Sequence, residues 1–313
     1  AISAYYDRTY GVDVDPERII VTPGSSPGLL LALAATVDPG DQVVLTDPHY
    51  ACYPNFVRTV GGHVVTVPLY AANAFEPAVD DFEGALEEST ETLLINSPAN
   101  PTGAVMDGST LADLAALTRA TKTTIISDEV YHGLSYDVTE HTILEYTEDA
   151  IVLDGFSKRF AMTGWRLGWM VVPPAFVDPI NRLMQNLLIC APNFVQDGAI
   201  AALEANENRL AEIRNRYRDR RDLLVAAVSE WGLDLGYTPQ GAYYVLADVS
   251  ELPGDSLEIA DCLLEEAGVA VTPGVDFGER AADYLRFSYA TDLENIERAI
   301  DRLDRFFEQS GVV

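Results

Sequence analysis

The sequence of 313 residues predicts an α/β protein, a mostly parallel sheet flanked by helices and followed by a smaller α+β unit. Three observations carry that expectation. Apolar β-type runs alternate with helical segments through the first half, the pattern of repeated βαβ units. Past Gly232 the texture changes to short strands and helices. The length fits one large domain plus a smaller one better than a single core. In such sheets ligands lie outside the carboxyl ends of the strands, so the residues just beyond each apolar run are the first candidates for function.

The opening stretch reads as a helix stopped at Gly11, a strand at Ile19 to Thr22 and a helix from about Pro27. Between them lies Gly24-Ser25-Ser26-Pro27-Gly28. Small residues at a helix start leave N–H groups free for an anion, although the same residues also cap helices for structural reasons alone. The pattern is neither GxGxxG nor GxxxxGK[ST], which argues against a dinucleotide fold or a P-loop. Gln42 to Thr46 is a buried strand running into Asp47-Pro48-His49-Tyr50, where the Tyr50 face could cover a planar ring or pack on the core. Val64 to Leu69 is the next strand and Asp80 to Glu88 a polar helix.

Thr92 to Asn96 is a strand followed by SPANPTG, whose prolines and Gly103 hold Asn100 in a sharp loop beyond the strand end. A helix from about Thr110 to Thr121 leads to a strand ending at Ser127, Asp128 and Glu129, with Tyr131 close behind. A carboxylate at a buried strand end needs a partner, because leaving it unpaired is expensive; capping the next helix is the plainer role. The stretch Ile151 to Met170 then runs from an apolar strand through Lys158 to Arg166. Lys158 is one of only two lysines, Lys122 being the other. At the end of a buried strand a partly desolvated amine becomes a nucleophile toward carbonyls, and pyridoxal phosphate, held as a Schiff base, is the best-known partner. A solvated loop lysine is the alternative.

After Pro173-Pro174 the chain becomes helical, with near-heptad apolar spacing that predicts one long helix from Glu204 to Trp231. GAYYVLADV, a helix near Leu257 to Ala267, VAVTPG, YLRFSYA and a last amphipathic helix form the smaller unit. Arg286 alternates with Leu285 and Phe287, so it projects away from them, as a surface arginine or as a carboxylate clamp.

Composition narrows the partners. A net charge of -29 repels nucleic acid and anionic membrane. Abundant carboxylates with few lysines suit a protein kept soluble in concentrated salt, hence a halophilic source. Cys52, Cys190 and Cys262 have no CxxC spacing and the four histidines no paired spacing, so neither disulfides nor a metal site is expected. No apolar run has the length of a membrane span and no signal peptide is seen, so a cytoplasmic location is expected.

SPANPTG, SDEVY, GFSKRFAMTGWRLGW and LRFSYA, in this order, resemble the class I/II aminotransferases, over essentially the whole chain. The resemblance implies fold type I, with a mostly parallel seven-stranded sheet, a large domain at 1–215 that binds pyridoxal 5'-phosphate and a small domain at 216–313. It implies a homodimer that moves an amino group between an L-amino acid and a 2-oxo acid by a ping-pong route. It makes Lys158 the Schiff-base lysine and proton carrier, and Asp128 the partner of the pyridine nitrogen. Asn100 and Tyr131 would serve the phenolic oxygen, Tyr50 the ring face, and Ser25, Ser26, Ser157 and Arg166 the phosphate. Arg286, with Asn100 beside it, would hold the substrate α-carboxylate. Two departures stand out: Gly155 occupies a position where many relatives carry serine, and the family's chains begin several dozen residues upstream, so a missing N-terminal segment is expected. A lyase or decarboxylase of the same fold and a ligand-sensing regulator domain are the competing readings. Which amino acid is the substrate stays open.

Overall fold

The computed structural model describes residues 1–87, 89–205 and 207–310. Seven strands form one sheet: β1 (Ile19–Thr22), β2 (Gln42–Asp47), β3 (His63–Pro68), β4 (Thr90–Asn96), β5 (Thr124–Asp128), β6 (Ile151–Gly155) and β7 (Gly168–Val171). Their order is β1-β7-β6-β5-β4-β2-β3. The pairs from β3 through β6 are parallel, and β7 runs antiparallel to both its neighbours. Since β1 and β6 both oppose β7, they point the same way, and every strand except β7 ends at one edge.

Both faces of the sheet are covered, so β6 and β7 are buried at every residue and read as unbroken apolar runs. Successive side chains alternate between two cores. Val44, Leu93, Ile95 and Val152 pack with Tyr5 and Tyr6 of α1 (Ile2–Tyr10) and Leu111 and Leu114 of α5 (Gly108–Thr121). Val43, Leu45, Leu94 and Leu153 pack with Leu29 and Leu33 of α2 (Ser25–Thr36) and Ile180 of α6 (Pro174–Leu187). The short helices α3 (Tyr53–Thr59) and α4 (Val79–Glu83) follow β2 and β3.

A second, antiparallel sheet contains β8 (Tyr244–Asp248), β9 (Thr272–Pro273) and β10 (Tyr284–Ser288), in the order β8-β10-β9. Val245, Leu285 and Phe287 from this sheet share a core with Leu224 and Val228 of α8 (Glu207–Glu230), Ile259 of α9 (Ser256–Cys262) and Leu303 of α10 (Leu293–Ser310). Helix α8 is continuous through residue 215.

Several helix boundaries differ from the sequence reading. Helix α2 begins at Ser25, not Pro27, because the first four N–H groups of a helix need no internal acceptor and a proline is tolerated there. The expected helix from Glu204 to Trp231 is α8, which runs unbroken but starts at Glu207; Glu204 caps the end of the preceding α7 (Asn193–Leu203), and Asn206 lies outside the described residues. The apolar spacing from Leu210 to Val228 belongs to α8 alone, so it carries no information about what precedes it. Helix α4 closes at Gly84, and Glu88, the end of the expected polar helix, lies outside the described residues.

Candidate active site

A cavity of about 240 Å³ opens at the carboxyl edge of the large sheet, and each parallel strand lining it delivers its contribution within a few residues of its end. Strand β1 leads to Ser25 and Ser26, β2 to Tyr50, β4 to Asn100, β5 to Asp128 and Tyr131, and β6 to Lys158. Arg286 reaches in from β10 of the small sheet. Ser157 and Arg166 are not part of the cavity lining, although Arg166 lies at its border.

That border is the start of α2. Gly24 caps the helix at φ +110, where Ser25 and Ser26 present first-turn N–H groups and the positive end of the helix dipole. A Cβ on Gly24 would stand 2.8 Å from Arg166 Nη2, so the guanidinium rests directly over the glycine. Arg166 is exposed, in a left-handed conformation at φ 53, with Nη1 donating to the Thr163 carbonyl at 2.9 Å. Gly155 faces Gly168 across β6 and β7. A Cβ there would come within 3.3 Å of Gly168 Cα and the Leu167 carbonyl, so the strand pair leaves little room for any larger side chain.

At the centre of the edge, Asp128 is buried and accepts from the Tyr53 hydroxyl at 2.7 Å and the Val130 N–H at 3.3 Å. Burial pushes its carboxyl above the usual carboxylate range; the Tyr53 hydroxyl, the Val130 N–H and the Lys158 charge pull the other way. Lys158 is partly buried, its Nζ 5.3 Å from the centre of the Tyr131 ring and 5.5 Å from that of Tyr243. The Tyr131 hydroxyl lies 2.8 Å from that of Tyr244, and burial raises the Tyr131 phenol well above its ordinary value.

Arg286 is held as a flat plate. Its guanidinium carbon sits 4.3 Å from the Tyr244 ring centre and 4.5 Å from that of Phe277. Nη1 donates to Asn100 Oδ1 at 2.7 Å and Nη2 to Thr272 Oγ1 at 3.1 Å, while Nε is buried with no partner among the described residues. Phe277 is set by Asp47, which accepts from the Glu279 and Arg280 N–H groups at 3.1 Å each, and by its own carbonyl, which accepts from the His49 N–H at 2.9 Å. The loop carrying Asn100 is tied down through Gly103, whose carbonyl accepts from the Gln240 and Gly241 N–H groups.

Sequence reasoning missed Tyr53, Tyr244 and Phe277. Tyr53 is 75 residues from Asp128 and Tyr244 is 113 residues from Tyr131, separations at which no local spacing pairs them. The doubled tyrosine in GAYY was the one visible signal.

The seven-stranded, mostly parallel sheet flanked by helices matches the fold type I of solved aminotransferases, a class of enzymes that use pyridoxal phosphate. Within that class the assignment is specific: residues 1–303 match the model for aminotransferase class I and II, and the chain belongs to that family. It is 37% identical over 308 residues to the valine–pyruvate aminotransferase of Mycobacterium tuberculosis, spanning 97% of this chain and 79% of that one. It is 36% identical over 312 residues to the (5-formylfuran-3-yl)methyl phosphate transaminase of Methanocaldococcus jannaschii, spanning 98% and 80%. The crystal structure of an aromatic aminotransferase from Pyrococcus horikoshii OT3 superposes with a TM-score of 0.95 at 33% identity, covering 100% of this chain and 85% of that one. The protein is an aminotransferase that uses pyridoxal 5'-phosphate.

Proposed function

We propose that the cavity at the carboxyl edge is where this aminotransferase binds its cofactor and exchanges an amino group between an L-amino acid and a 2-oxo acid. The observation that carries the reading is the convergence of Lys158, Asp128, Asn100 and Arg286 on one cavity. The residues present suit the cofactor. The glycine-capped helix start under Arg166 suits a phosphate, and a carboxylate burdened by burial suits a cationic ring nitrogen. Bound there, pyridoxal phosphate supplies the electron sink for the bond broken at the substrate Cα and carries the amino group between substrates.

In this reading Lys158 Nζ would hold the cofactor covalently until the substrate's amino group takes its place, and the freed amine would then move the proton from the substrate Cα. Asp128, oriented by the Tyr53 hydroxyl, pairs with the ring nitrogen. Asn100 and Tyr131 donate to the phenolic oxygen and Tyr50 covers the ring. Ser25, Ser26, Ser157 and Arg166 take the phosphate. Arg286 holds the substrate α-carboxylate, which requires a substrate with that group and leaves its side chain open.

The working unit is a homodimer. Supporting this, Ile189 and Phe194 are each 75% exposed, Leu187 is 60% exposed, and Trp165, next to Arg166, packs its ring against Gly198 of α7. Such a run of large apolar groups beside the site suits a second copy of the chain. We take residues 1–215 as the cofactor-binding domain, 216–313 as the small domain, and the protein as a cytoplasmic enzyme of a halophile. The test is the absorption spectrum of the protein with pyridoxal phosphate in concentrated salt. A visible band that single amino acids convert to the pyridoxamine form supports the reading; absence of the band refutes it.

A further inference from the structure

We infer that Tyr244 is a positioning residue that couples the arginine for the substrate carboxylate to the hydroxyl that serves the cofactor's phenolic oxygen. The inference rests on the roles given above to Arg286 and Tyr131. One side chain makes both connections. Its ring is one of the two aromatic faces that hold the Arg286 guanidinium, at 4.3 Å, and its hydroxyl is 2.8 Å from that of Tyr131. Both tyrosines are buried, at 6% and 4% exposure, so water does not compete for this contact.

The direction of the hydrogen bond follows from counting protons. A phenol has one proton to give and lone pairs to receive. When Tyr131 gives its proton to an acceptor in the cavity, the contact with Tyr244 is satisfied only if Tyr244 donates. Burial, then the neighbouring Tyr243, pushes the Tyr244 phenol up to about 12, so the proton needed for that donation stays in place through the neutral range. Donation from Tyr244 polarises the Tyr131 O–H bond and strengthens what Tyr131 can give in turn.

The backbone makes the connection one between units. Tyr244 opens β8, in register with Ser288 of β10, two residues beyond Arg286, whereas Tyr131 follows β5 of the large sheet. The ring therefore moves with the small sheet that carries Arg286, while its hydroxyl is bonded to a residue fixed on the large one. A carboxylate arriving on Arg286 draws the guanidinium, and the ring stacked on it, toward the cavity. The strength of the Tyr131 donation then depends on whether the carboxylate site is filled.

Three variants separate the two connections, read by the pH midpoint of the bound cofactor's visible absorbance without substrate and by the dissociation constant of propionate, a carboxylate with no amine. Tyr244→Phe keeps the ring and removes the hydroxyl. A weaker donation from Tyr131 leaves more negative charge on the phenolic oxygen, which holds the neighbouring proton more tightly. The midpoint then rises by roughly 0.3 to 1 pH unit, a fraction of one hydrogen bond, with propionate affinity within about twofold of the parent. Tyr244→Leu gives the same rise and also weakens propionate by about fivefold, the loss of one cation–π face. Tyr131→Phe raises the midpoint further. A midpoint that moves in Tyr131→Phe and stays in Tyr244→Phe overturns the coupling. A midpoint that stays in Tyr131→Phe removes the role assigned to Tyr131, and the coupling falls with it.

Discussion

Replacing Arg286 with lysine keeps a positive charge on β10 and removes the planar fork, so it isolates what the fork contributes. In the protein the guanidinium gives Nη1 to Asn100 at 2.7 Å and Nη2 to Thr272 at 3.1 Å, has no partner for its buried Nε among the described residues, and lies between two rings at 4.3 and 4.5 Å. One ammonium cannot keep both tethers and still offer two parallel donors to a carboxylate. The variant loses one charge-assisted hydrogen bond, about 1.5–3 kcal/mol, and part of the ring stacking, about 0.5–1 kcal/mol. Together these are about 3 kcal/mol, which corresponds to roughly a 150-fold fall in kcat/KM for an amino acid. The assay compares that substrate with the amine lacking its carboxylate, whose kcat/KM should change by less than about threefold because it never used the fork. Equal losses for amino acid and amine would refute the carboxylate assignment, as would an amino-acid loss below about fivefold.

Four further outcomes are expected. Lys158→Ala should abolish both the visible absorbance of the protein-bound cofactor and turnover; retention of the two together removes the assignment. Burial raises the Asp128 carboxyl, so its contribution to the stability of cofactor-free protein is complete below the unfolded value of about 3.9 and lost as pH climbs through the folded value. Asp128→Asn, which still offers an oxygen to the Tyr53 hydroxyl, should therefore flatten the fall in denaturant midpoint as pH climbs above about 4, though Glu129 and Asp154, shifted the same way, keep it from vanishing. Gly103 has φ +71, and a Cβ there would stand 2.8 Å from both the Gly241 carbonyl and Pro239 Cβ. Gly103→Ala should lower stability by about 2 kcal/mol in urea unfolding and reduce kcat/KM by shifting Asn100; an unchanged midpoint would show that the loop relaxes freely. A net charge of -29 implies strong self-repulsion, so the unfolding temperature should rise as salt increases from about 0.1 to 2 M; a flat or falling response counts against a halophilic origin.

The parts of the site that could be read in advance share one property. Asn100, Asp128, Tyr131 and Lys158 each lie a few residues beyond a strand, and strands that run parallel bring their ends to one edge whatever their order. Local chemistry marked them as candidates while leaving an ordinary structural role open for each, and the resemblance to a family supplied the roles. Ser25 and Ser26 were found in the same way, although the start of α2 was misplaced because proline in a first turn is compatible with more than one boundary. The one long helix expected from Glu204 is present as α8 but begins at Glu207, for a related reason: apolar periodicity describes the face of a helix and leaves its ends undetermined.

What the sequence determined by itself was the alternation of buried strands and helices and the residue types waiting at the strand ends, because both follow from burial pattern and turn chemistry within a few positions. Only the tertiary structure decided which side chains finish the site. The Tyr53 hydroxyl on Asp128, the Tyr244 hydroxyl on Tyr131 and the Arg286 guanidinium on Asn100 span 75, 113 and 186 residues. Contacts at such separations are selected by the tertiary fold, by how α3 packs on the large sheet for Tyr53 and by how the two sheets meet for Tyr244 and Arg286, since hydrogen bonds and ring stacks act over a few ångströms of space and are indifferent to distance along the chain.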